Sequence, residues 1–340
     1  MTAPNREAPA VVTGGAGAIG STLVRALLER GRTVRVIDNL SSGRRAHLPD
    51  PAATPRLTIV EADLREPAGY AAQLRGASEI WHLAANTDIQ KGSADPTIDF
   101  EHGTRATFQL LETARRENVR RFLFSSSSVV YGFATVLPTP EEYGPLVPES
   151  LYGAGKLAAE GLVSAYAHSY GFTTYLFRFA NIIGPGMTHG VLHDFFEKLR
   201  RDPSRLEVLG NGRQAKSYLR TEDCIDGMLV AAERASAPVN IFNLGTRDRT
   251  SVREIAEKVV AAHGGRARIE YTGGDRGWTG DVPQQLLSVD RIEKLGWTPR
   301  TTSGGAIDRT IAEMVEARRV RPSAHPESPG PVGRGDGDRR

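Results

Sequence analysis

Short apolar runs alternate with helical patterns along the first two thirds of the chain. Runs rich in β-branched and aromatic residues predict strands at residues 10–13, 33–37, 57–60, 79–83, 121–124, 173–179 and 239–244. Apolar positions at helical spacing lie between them, for example Leu23 with Leu27 and Leu110 with Ala114. Strands that alternate with helices predict right-handed crossovers and a doubly wound parallel sheet, which is an α/β fold.

The pattern becomes less regular after residue 184. Helices are predicted at 191–201, from a capping box of Ser251 and Glu254 to His263, at 289–295 and at 306–318, with a short strand at 206–209. These elements predict a smaller C-terminal lobe. Residues 322–340 hold four Pro and four Gly with almost no large apolar residue, so we expect the tail 319–340 to be disordered.

Three glycines follow the first strand, at Gly14, Gly17 and Gly20. Such glycines allow a sharp turn, a close approach of peptide N–H groups to a diphosphate, and tight packing of the following helix. The second strand ends in Asp38, where a carboxylate can accept both ribose hydroxyls of an adenosine. That charge repels a 2′-phosphate and favours NAD, although Arg44 and Arg45 leave NADP open. The alternative is a strand–helix turn without a ligand.

Small and polar residues stand at the ends of the other predicted strands, where ligands bind in a Rossmann-type sheet. Asp63 is placed to meet the adenine amino group, and Ala84 and Ala85 permit close backbone approach. His82, with apolar neighbours, is interpreted as a core histidine and not as a base. The predicted cofactor contacts are Gly14, Gly17, Ala18, Ile19, Gly20, Asp38, Asn39, Ser42, Gly43, Asp63, Leu64, Leu83, Ala84 and Ala85, together with Tyr152 and Lys156.

Composition narrows the function classes. The apolar fraction of 39% and the charged fraction of 24% are those of a soluble globular protein. No apolar run approaches the roughly 18 residues of a membrane span, and the one cysteine, Cys224, excludes an internal disulfide and fits a reducing cytoplasm. We expect Cys224 in the core. The net charge of +3 comes from the segment that begins at Arg318, so nucleic acid is not an expected partner.

Tyr152 and Lys156 are spaced i, i+4 at the start of a predicted helix, so both side chains project from one face. A tyrosine with an ordinary pKa near 10 is a poor base at neutral pH. A lysine ammonium and a nicotinamide cation close by would favour the phenolate. We therefore expect an acid/base pair here; the alternative is a surface pair without a role.

Together these motifs resemble the extended short-chain dehydrogenase/reductase family, and within it the sugar-nucleotide epimerases similar to UDP-glucose 4-epimerase. The resemblance covers about residues 8–318. It rests on six segments: the glycine turn from Thr13 to Gly20, Asp38-Asn39-Leu40, His82-Leu83-Ala84-Ala85, the serines before Val130-Tyr131-Gly132, Tyr152-x-x-x-Lys156, and Arg178-Phe179-Ala180-Asn181.

The resemblance implies that Tyr152 is the acid/base, that Lys156 is its electrostatic partner and a ribose ligand, and that Ser127 bridges to the sugar 4-hydroxyl. It also implies a nucleotide-sugar site. The residues assigned to that site are Ser126, Ser127, Asn181, Val191, Lys216, Tyr218 and Arg276. No metal is expected.

Four positions depart from the family pattern. Lys216 replaces an arginine and loses its bidentate fork, and Trp278 stands where an arginine is usual, so Arg276 is assigned to the diphosphate. Gly103 replaces a common asparagine. Ser128 and Val129 replace the Asp-Glu pair of sugar 4,6-dehydratases, and decarboxylating relatives also keep a Glu there.

The resulting prediction is an NAD-dependent epimerase that inverts C4 of a UDP-hexose through a transient 4-keto sugar. A hexuronate 4-epimerase, a 4-ketosugar reductase, a dehydratase and a non-catalytic NAD-binding scaffold are the alternatives. Residues 8–184 with 215–245 are assigned to NAD, and residues 185–214 with 246–318 to the nucleotide sugar. The resemblance further implies a cytoplasmic homodimer.

Overall fold

The computed structural model describes residues 7–86, 89–278 and 280–320. Seven strands form the central sheet: β1 Ala10–Thr13, β2 Val34–Asp38, β3 Leu57–Glu61, β4 Glu79–His82, β5 Arg121–Ser127, β6 Thr173–Phe179 and β11 Val239–Leu244. The seven remaining strands of the described residues are short: β7 Asn181–Ile183, β8 Arg205–Val208, β9 Ala215–Lys216, β10 Tyr218–Arg220, β12 Thr250–Ser251, β13 Arg268–Tyr271 and β14 Gln284–Gln285.

Helices connect these strands. They are α1 Ala18–Glu29, α2 Ala71–Leu74, α3 Ile89–Ala94, α4 Pro96–Asp99, α5 Ala106–Arg116, α6 Leu151–Tyr170, α7 Val191–Arg201, α8 Thr221–Arg234, α9 Val252–Ala262, α10 Asp290–Glu293 and α11 Ser303–Val320. Among the described helices, none has the length and apolarity needed to cross a bilayer.

The central sheet has the order β3-β2-β1-β4-β5-β6-β11, and every neighbouring pair is parallel. The predicted Rossmann-type fold is therefore confirmed. The chain builds outward from β1 to β3, then returns to place β4 beside β1. The strand order reverses between β1 and β4, and in such sheets a ligand crevice opens at the carboxyl ends of those two strands.

Alternating side chains of each strand serve the two faces of the sheet. Val12 packs in a cluster with Leu23 of α1 and Ile225 of α8, whereas Val11 packs in a second cluster with Leu110 of α5 and Val163 of α6. Because both faces are covered, the strands are apolar throughout, as the sequence pattern indicates. Cys224 is fully buried in the first cluster, as predicted.

The predicted helix that carries Leu110 and Ala114 is preceded by an interrupted segment in the structure. The side chain of Asp95 caps α4 at the N–H of Thr97, and a π-helical turn over Phe100–Arg105 separates α4 from α5. A π-helical turn inserts a residue without ending the helix and is frequent at functional sites. It alters which side chains of this helix meet α6.

The C-terminal lobe has its own apolar core. Helices α7, α9 and α11 enclose the parallel pair β8–β13, with Phe196, Leu206, Val259 and Ile307 buried between them. The capping box of Ser251 and Glu254 is confirmed by its reciprocal hydrogen bonds. Helix α11 continues to Val320 and so includes the first two residues of the predicted tail 319–340, whose remainder lies outside the described residues.

Candidate active site

The glycine turn after β1 is shaped by two close approaches. Gly14 has φ +67°, and a Cβ on it would lie 2.6 Å from the backbone nitrogen of Ala84, which follows β4. A Cβ on Gly20 would collide with the carbonyl oxygen of Gly14. At Gly17 a Cβ would meet only that same carbonyl oxygen, at 3.3 Å, and no side chain caps the N-terminus of α1. The first N–H groups of α1 therefore remain available to an anion.

A cleft of about 660 Å³ opens beside this turn, at the crevice between β1 and β4. Most of the predicted cofactor contacts line this one cavity, whereas five lie outside its lining: Ala18, Ile19, Gly20, Tyr152 and Lys156. His102 and Ala106 line the cleft without having been predicted. The predicted residues in the lining are Gly14, Gly17, Asp38, Asn39, Ser42, Gly43, Asp63, Leu64, Leu83, Ala84 and Ala85.

Two carboxylates in this cleft are fixed by hydrogen bonds. Asp38 accepts the N–H of Ala16 and the N–H of Leu40, each at 2.9 Å. A carboxylate has about four lone-pair sites, so Asp38 keeps acceptor capacity for ribose hydroxyls. Asp63 accepts a bidentate pair from Arg65, and this hydrogen bonding holds the pKa of Asp63 well below its usual range.

Tyr152, Ser127 and Lys156 meet at the carboxyl end of β5. Ser150 caps α6 by accepting the N–H of Gly153, which places Tyr152 in the first turn of that helix. The Ser127 hydroxyl lies close enough to the Tyr152 phenol to lower the pKa of that phenol. Lys156 Nζ donates to the carbonyl oxygen of Ser125 at 2.6 Å and lies 5.8 Å from the centre of the Tyr152 ring. The structure therefore brings the three predicted catalytic residues together.

The expected activation of the tyrosine by its lysine is not present in the protein alone. Burial and the nearby Asp99 carboxyl raise the pKa of Tyr152 to about 12, although the adjacent Ser127 hydroxyl lowers it. Burial lowers the pKa of Lys156 to about 8, against the opposing effect of Glu160 and Asp99. The cost of burying the Tyr152 phenolate outweighs the stabilising effect of the Lys156 ammonium, because that ammonium is itself buried and hydrogen-bonded to Ser125.

His82 is a core residue, as interpreted from the sequence. It is fully buried, with Nδ1 2.7 Å from the hydroxyl of Thr13 and Nε2 3.0 Å from that of Thr107. Burial, assisted by the charge of Lys156, lowers the pKa of His82 to about 3. His82 thus joins β1, β4 and α5 as a neutral imidazole directly behind the cleft.

This burial predicts a loss of stability in acid. The unfolded chain binds a proton at His82 below about pH 6.5 while the folded chain does not, so the free energy of unfolding falls as the pH drops from 6.5 towards 3. We expect His82 to lower the free energy of unfolding by about 2 kcal/mol between pH 7 and pH 5. Urea unfolding at both pH values should show that part of the loss disappearing in His82→Asn. It should persist in the control His168→Asn, at an exposed histidine of α6; equal losses in both variants would contradict the assignment.

A second cavity of about 620 Å³ lies beside Ser128 and Val129. Asn181 and Lys216, both predicted to contact substrate, line it together with Trp278 and Gln285. Lys216 Nζ donates to the buried Asp281 at 2.5 Å, so its charge is shared with that carboxylate. None of the described lining residues is Asp or Glu.

Five other predicted substrate contacts lie outside this lining, namely Ser127, which stands beside Tyr152, and the four that follow. Ser126 donates to Glu160 at 2.5 Å, within a buried network that continues through Arg178 to Tyr131. Val191 begins α7 and packs on the lobe core. Tyr218 is buried in that same core. The Arg276 guanidinium stacks 4.5 Å over the ring of Phe133.

Sequence comparison places the chain among known proteins. Residues 10–245 match the sequence model of the NAD dependent epimerase/dehydratase family. The chain belongs to this family. It is therefore an enzyme, and NAD is its cofactor.

Relatives within the family carry out different reactions. A solved UDP-galactose 4-epimerase is 39% identical with a TM-score of 0.82, and the match covers 91% of this chain and 99% of that one. The UDP-glucose 4-epimerase of Mycolicibacterium smegmatis is 32% identical over 88% of this chain and 96% of its own. A dTDP-glucose 4,6-dehydratase of Streptomyces venezuelae, solved with NAD bound, is 28% identical with a TM-score of 0.83, over 92% of this chain and 98% of that one.

The cleft fits the cofactor of this family. The bare N-terminus of α1 suits a diphosphate, Asp38 suits an adenosine ribose, and the cleft extends from Asp63 past Gly17 to Ala85. Arg44 and Arg45, which kept NADP open, are exposed and do not line it.

Proposed function

We propose that this enzyme is a sugar-nucleotide epimerase that inverts C4 of a UDP-hexose through a transient 4-keto sugar. The proposal rests on the residues at the end of β5 and on the lining of the second cavity beside them. Tyr152 and Ser127 lie together as an acid/base pair at the end of β5, and the cavity beginning at Ser128 has no Asp or Glu among its described lining residues. Epimerisation at C4 needs the Tyr152–Ser127 pair and no carboxylate in the cavity.

In this proposal Tyr152 handles one proton. Its phenol oxygen takes the proton of the sugar 4-hydroxyl and later returns it, while the Ser127 hydroxyl hydrogen-bonds to both oxygens. NAD supplies a reversible hydride acceptor and, in its oxidised form, a positive charge. The charge is relevant because the pKa of Tyr152 stands at about 12 in the protein alone, and a nearby cation lowers the pKa of a phenol.

Dehydration would need further groups. Elimination of water from C5 and C6 requires one residue to take the C5 proton and another to protonate the leaving hydroxyl. Ser128 and Val129 serve neither purpose at neutral pH, and the nearby Asp281 is bound to Lys216 and to the N–H of Gly277. The same lack of a carboxylate counts against the decarboxylating reaction.

We assign the two cavities to two parts of the chain. Residues 8–184 with 215–245 hold NAD and also contribute Ser128, Asn181 and Lys216 to the second cavity, and residues 185–214 with 246–318 complete the site of the nucleotide sugar. Lys216 and Asn181 are the proposed contacts to its diphosphate, with Asp281 releasing part of the Lys216 charge when a phosphate arrives. The other predicted substrate contacts lie outside the lining and would act on the substrate through neighbouring residues; they are Ser126, Val191, Tyr218 and Arg276.

We also propose a cytoplasmic homodimer. The helices α5 and α6 lie side by side on one face of the sheet, and apolar side chains remain exposed along them and the preceding π-helical turn. Phe100 is 58% exposed, Phe108 42% and Leu151 44%. A second copy of this chain, packed helix against helix, would cover them.

A panel of nucleotide sugars in deuterated water tests the reaction. We expect UDP-glucose or another UDP-hexose to give a C4-inverted product, followed by NMR at the C4 proton, without deuterium at C5 or C6. No carbon-bound proton exchanges with solvent when hydride leaves C4 and returns. Deuterium at C5 or C6, or a dehydrated sugar, would overturn the proposal in favour of a dehydratase, and turnover of UDP-hexuronates alone would transfer it to a uronate epimerase.

A further inference from the structure

One buried carboxyl beside the catalytic pair has no role in the reaction as described. Asp99 ends α4, directly before the π-helical turn, and is 4% exposed. Its backbone carbonyl oxygen lies 3.1 Å from the position of a Cβ on Gly155. Because Gly155 stands between Tyr152 and Lys156 on α6, this turn packs directly against the catalytic segment.

The Asp99 carboxyl is hydrogen-bonded on one side only. Its Oδ1 accepts the side-chain N–H of Asn86 at 2.9 Å, whereas its Oδ2 has no hydrogen-bond partner among the described residues. A Cβ on Gly92 of α3 would collide with Oδ2, so the carboxyl fits there only against a glycine. A buried carboxyl that lacks a hydrogen bond is costly unless a charge compensates it.

Lys156 is a buried positive charge with few hydrogen bonds. Its ammonium carries three donors, is 4% exposed, and has one hydrogen bond among those described, to Ser125, with the ring of Phe124 4.8 Å away. An isolated buried ammonium is equally unfavourable. It therefore needs a counter-ion close to Tyr152.

The negative charges of two carboxylates, Glu160 and Asp99, raise the pKa of Lys156, and Glu160 already forms an ion pair with another residue. Glu160 binds the guanidinium of Arg178 through both oxygens and also accepts the hydroxyl of Ser126. No described Arg or Lys hydrogen-bonds to Asp99. The negative charge of Asp99 is thus the one available to balance Lys156.

We propose that Asp99 is a positioning residue, the counter-ion that keeps the Lys156 ammonium charged beside Tyr152. The proposal rests on the roles proposed above for Tyr152 and Lys156. The groups that face this pair are His102 near Asp99, the neutral His82 behind Lys156, and the Glu160–Arg178 pair one turn further along α6.

The test measures the proton of Lys156 directly and needs no substrate. Protein labelled with 13C at the lysine side chains is titrated in its NAD-loaded and NAD-free forms, with the Lys156 signal assigned from its absence in Lys156→Met. The structure places the pKa of Lys156 near 8 in the NAD-free wild type. In Asp99→Asn, which keeps the shape and removes the charge, we expect this pKa to fall by about one unit or more.

Asp95→Asn is the matched control. It removes the same charge from the exposed N-cap of the same helix, and asparagine caps a helix as well as aspartate does. The proposal is overturned if Asp99→Asn shifts the Lys156 titration no more than Asp95→Asn does. Should Asp99→Asn not fold, Asn86→Ala replaces it, because removing the amide that stabilises the charged carboxyl should shift Lys156 in the same direction by a smaller amount; no shift overturns the proposal.

The pH dependence of kcat provides a second test, because a purely structural role of Asp99 would not change it. A lower pKa of Lys156 moves the alkaline loss of kcat to lower pH in Asp99→Asn, with KM unchanged since Asp99 does not line the substrate cavity. An alkaline limb that stays at its wild-type pH would overturn the link to Tyr152. If no nucleotide sugar is turned over, the proposed function fails, and the NMR titration still decides the counter-ion role.

Discussion

Tyr152→Phe is expected to keep the fold and the NAD content while turnover falls by about 10²–10⁴-fold. Phenylalanine fills the same space on α6 and removes only the phenol oxygen beside Ser127. Turnover of the UDP-hexose found in the panel, the absorbance of bound cofactor and the melting temperature should be measured on the same sample. The result would separate a chemical loss from a folding loss.

Tyr170→Phe is the control for this variant. Tyr170 ends the same helix, is 47% exposed and packs beneath Arg115, away from both cavities. Its replacement should leave turnover close to wild type because its hydroxyl lies away from both cavities, and the free energy of unfolding should change by no more than about 0.5 kcal/mol. Near wild-type turnover in Tyr152→Phe would exclude Tyr152 as the acid/base.

The strands and the cofactor turn follow from local rules. β-branched runs form the buried parallel strands, and the spacing of Gly14, Gly17 and Gly20 matches a turn in which Gly14 faces Ala84 while the other two glycines face the carbonyl oxygen of Gly14. The i, i+4 spacing of Tyr152 and Lys156 requires only that the segment be helical. These features depend on residues close in sequence, so one chain suffices to predict them.

The substrate contacts were harder to place because they depend on how strands pair. Lys216 and Tyr218 are two residues apart, and in one continuous strand both would face the same side. The structure divides the segment at Ser217: β9 pairs with β12 and β14, and β10 pairs with β7. Lys216 consequently lines the cavity while Tyr218 enters the lobe core.

Asp99 and His102 were missed for a related reason. An acidic residue and a histidine in a predicted helix are ordinarily interpreted as solvent-exposed, and nothing in the local sequence marks the π-helical turn at Phe100–Arg105. That turn and the contact with Gly155 bury Asp99 behind Tyr152 and place His102 in the cleft. Their positions are set by packing between helices that are distant in sequence.

Gly14→Ala is expected to cause the largest loss of stability of the variants considered, about 2–5 kcal/mol, together with loss of bound NAD. Part of the loss comes from forcing a Cβ into φ +67°, which costs about 1–2 kcal/mol. The rest comes from the 2.6 Å approach to the backbone nitrogen of Ala84, which must shift and move β4 away from β1.

Two further glycines separate these causes. Gly76 has φ +68° with nothing within 4 Å of a Cβ, so Gly76→Ala isolates the backbone cost and should lose only about 1–2 kcal/mol while keeping NAD. Gly17→Ala has an ordinary φ and meets only the Gly14 carbonyl oxygen, so its stability should stay within about 1 kcal/mol of wild type. Gly17 lines the cleft, however, and its new methyl group should reduce NAD binding. Urea unfolding and bound NAD should be measured for all three variants; if Gly14→Ala lost no more stability than Gly76→Ala, the contact between the glycine turn and Ala84 would not be what holds the cofactor cleft together.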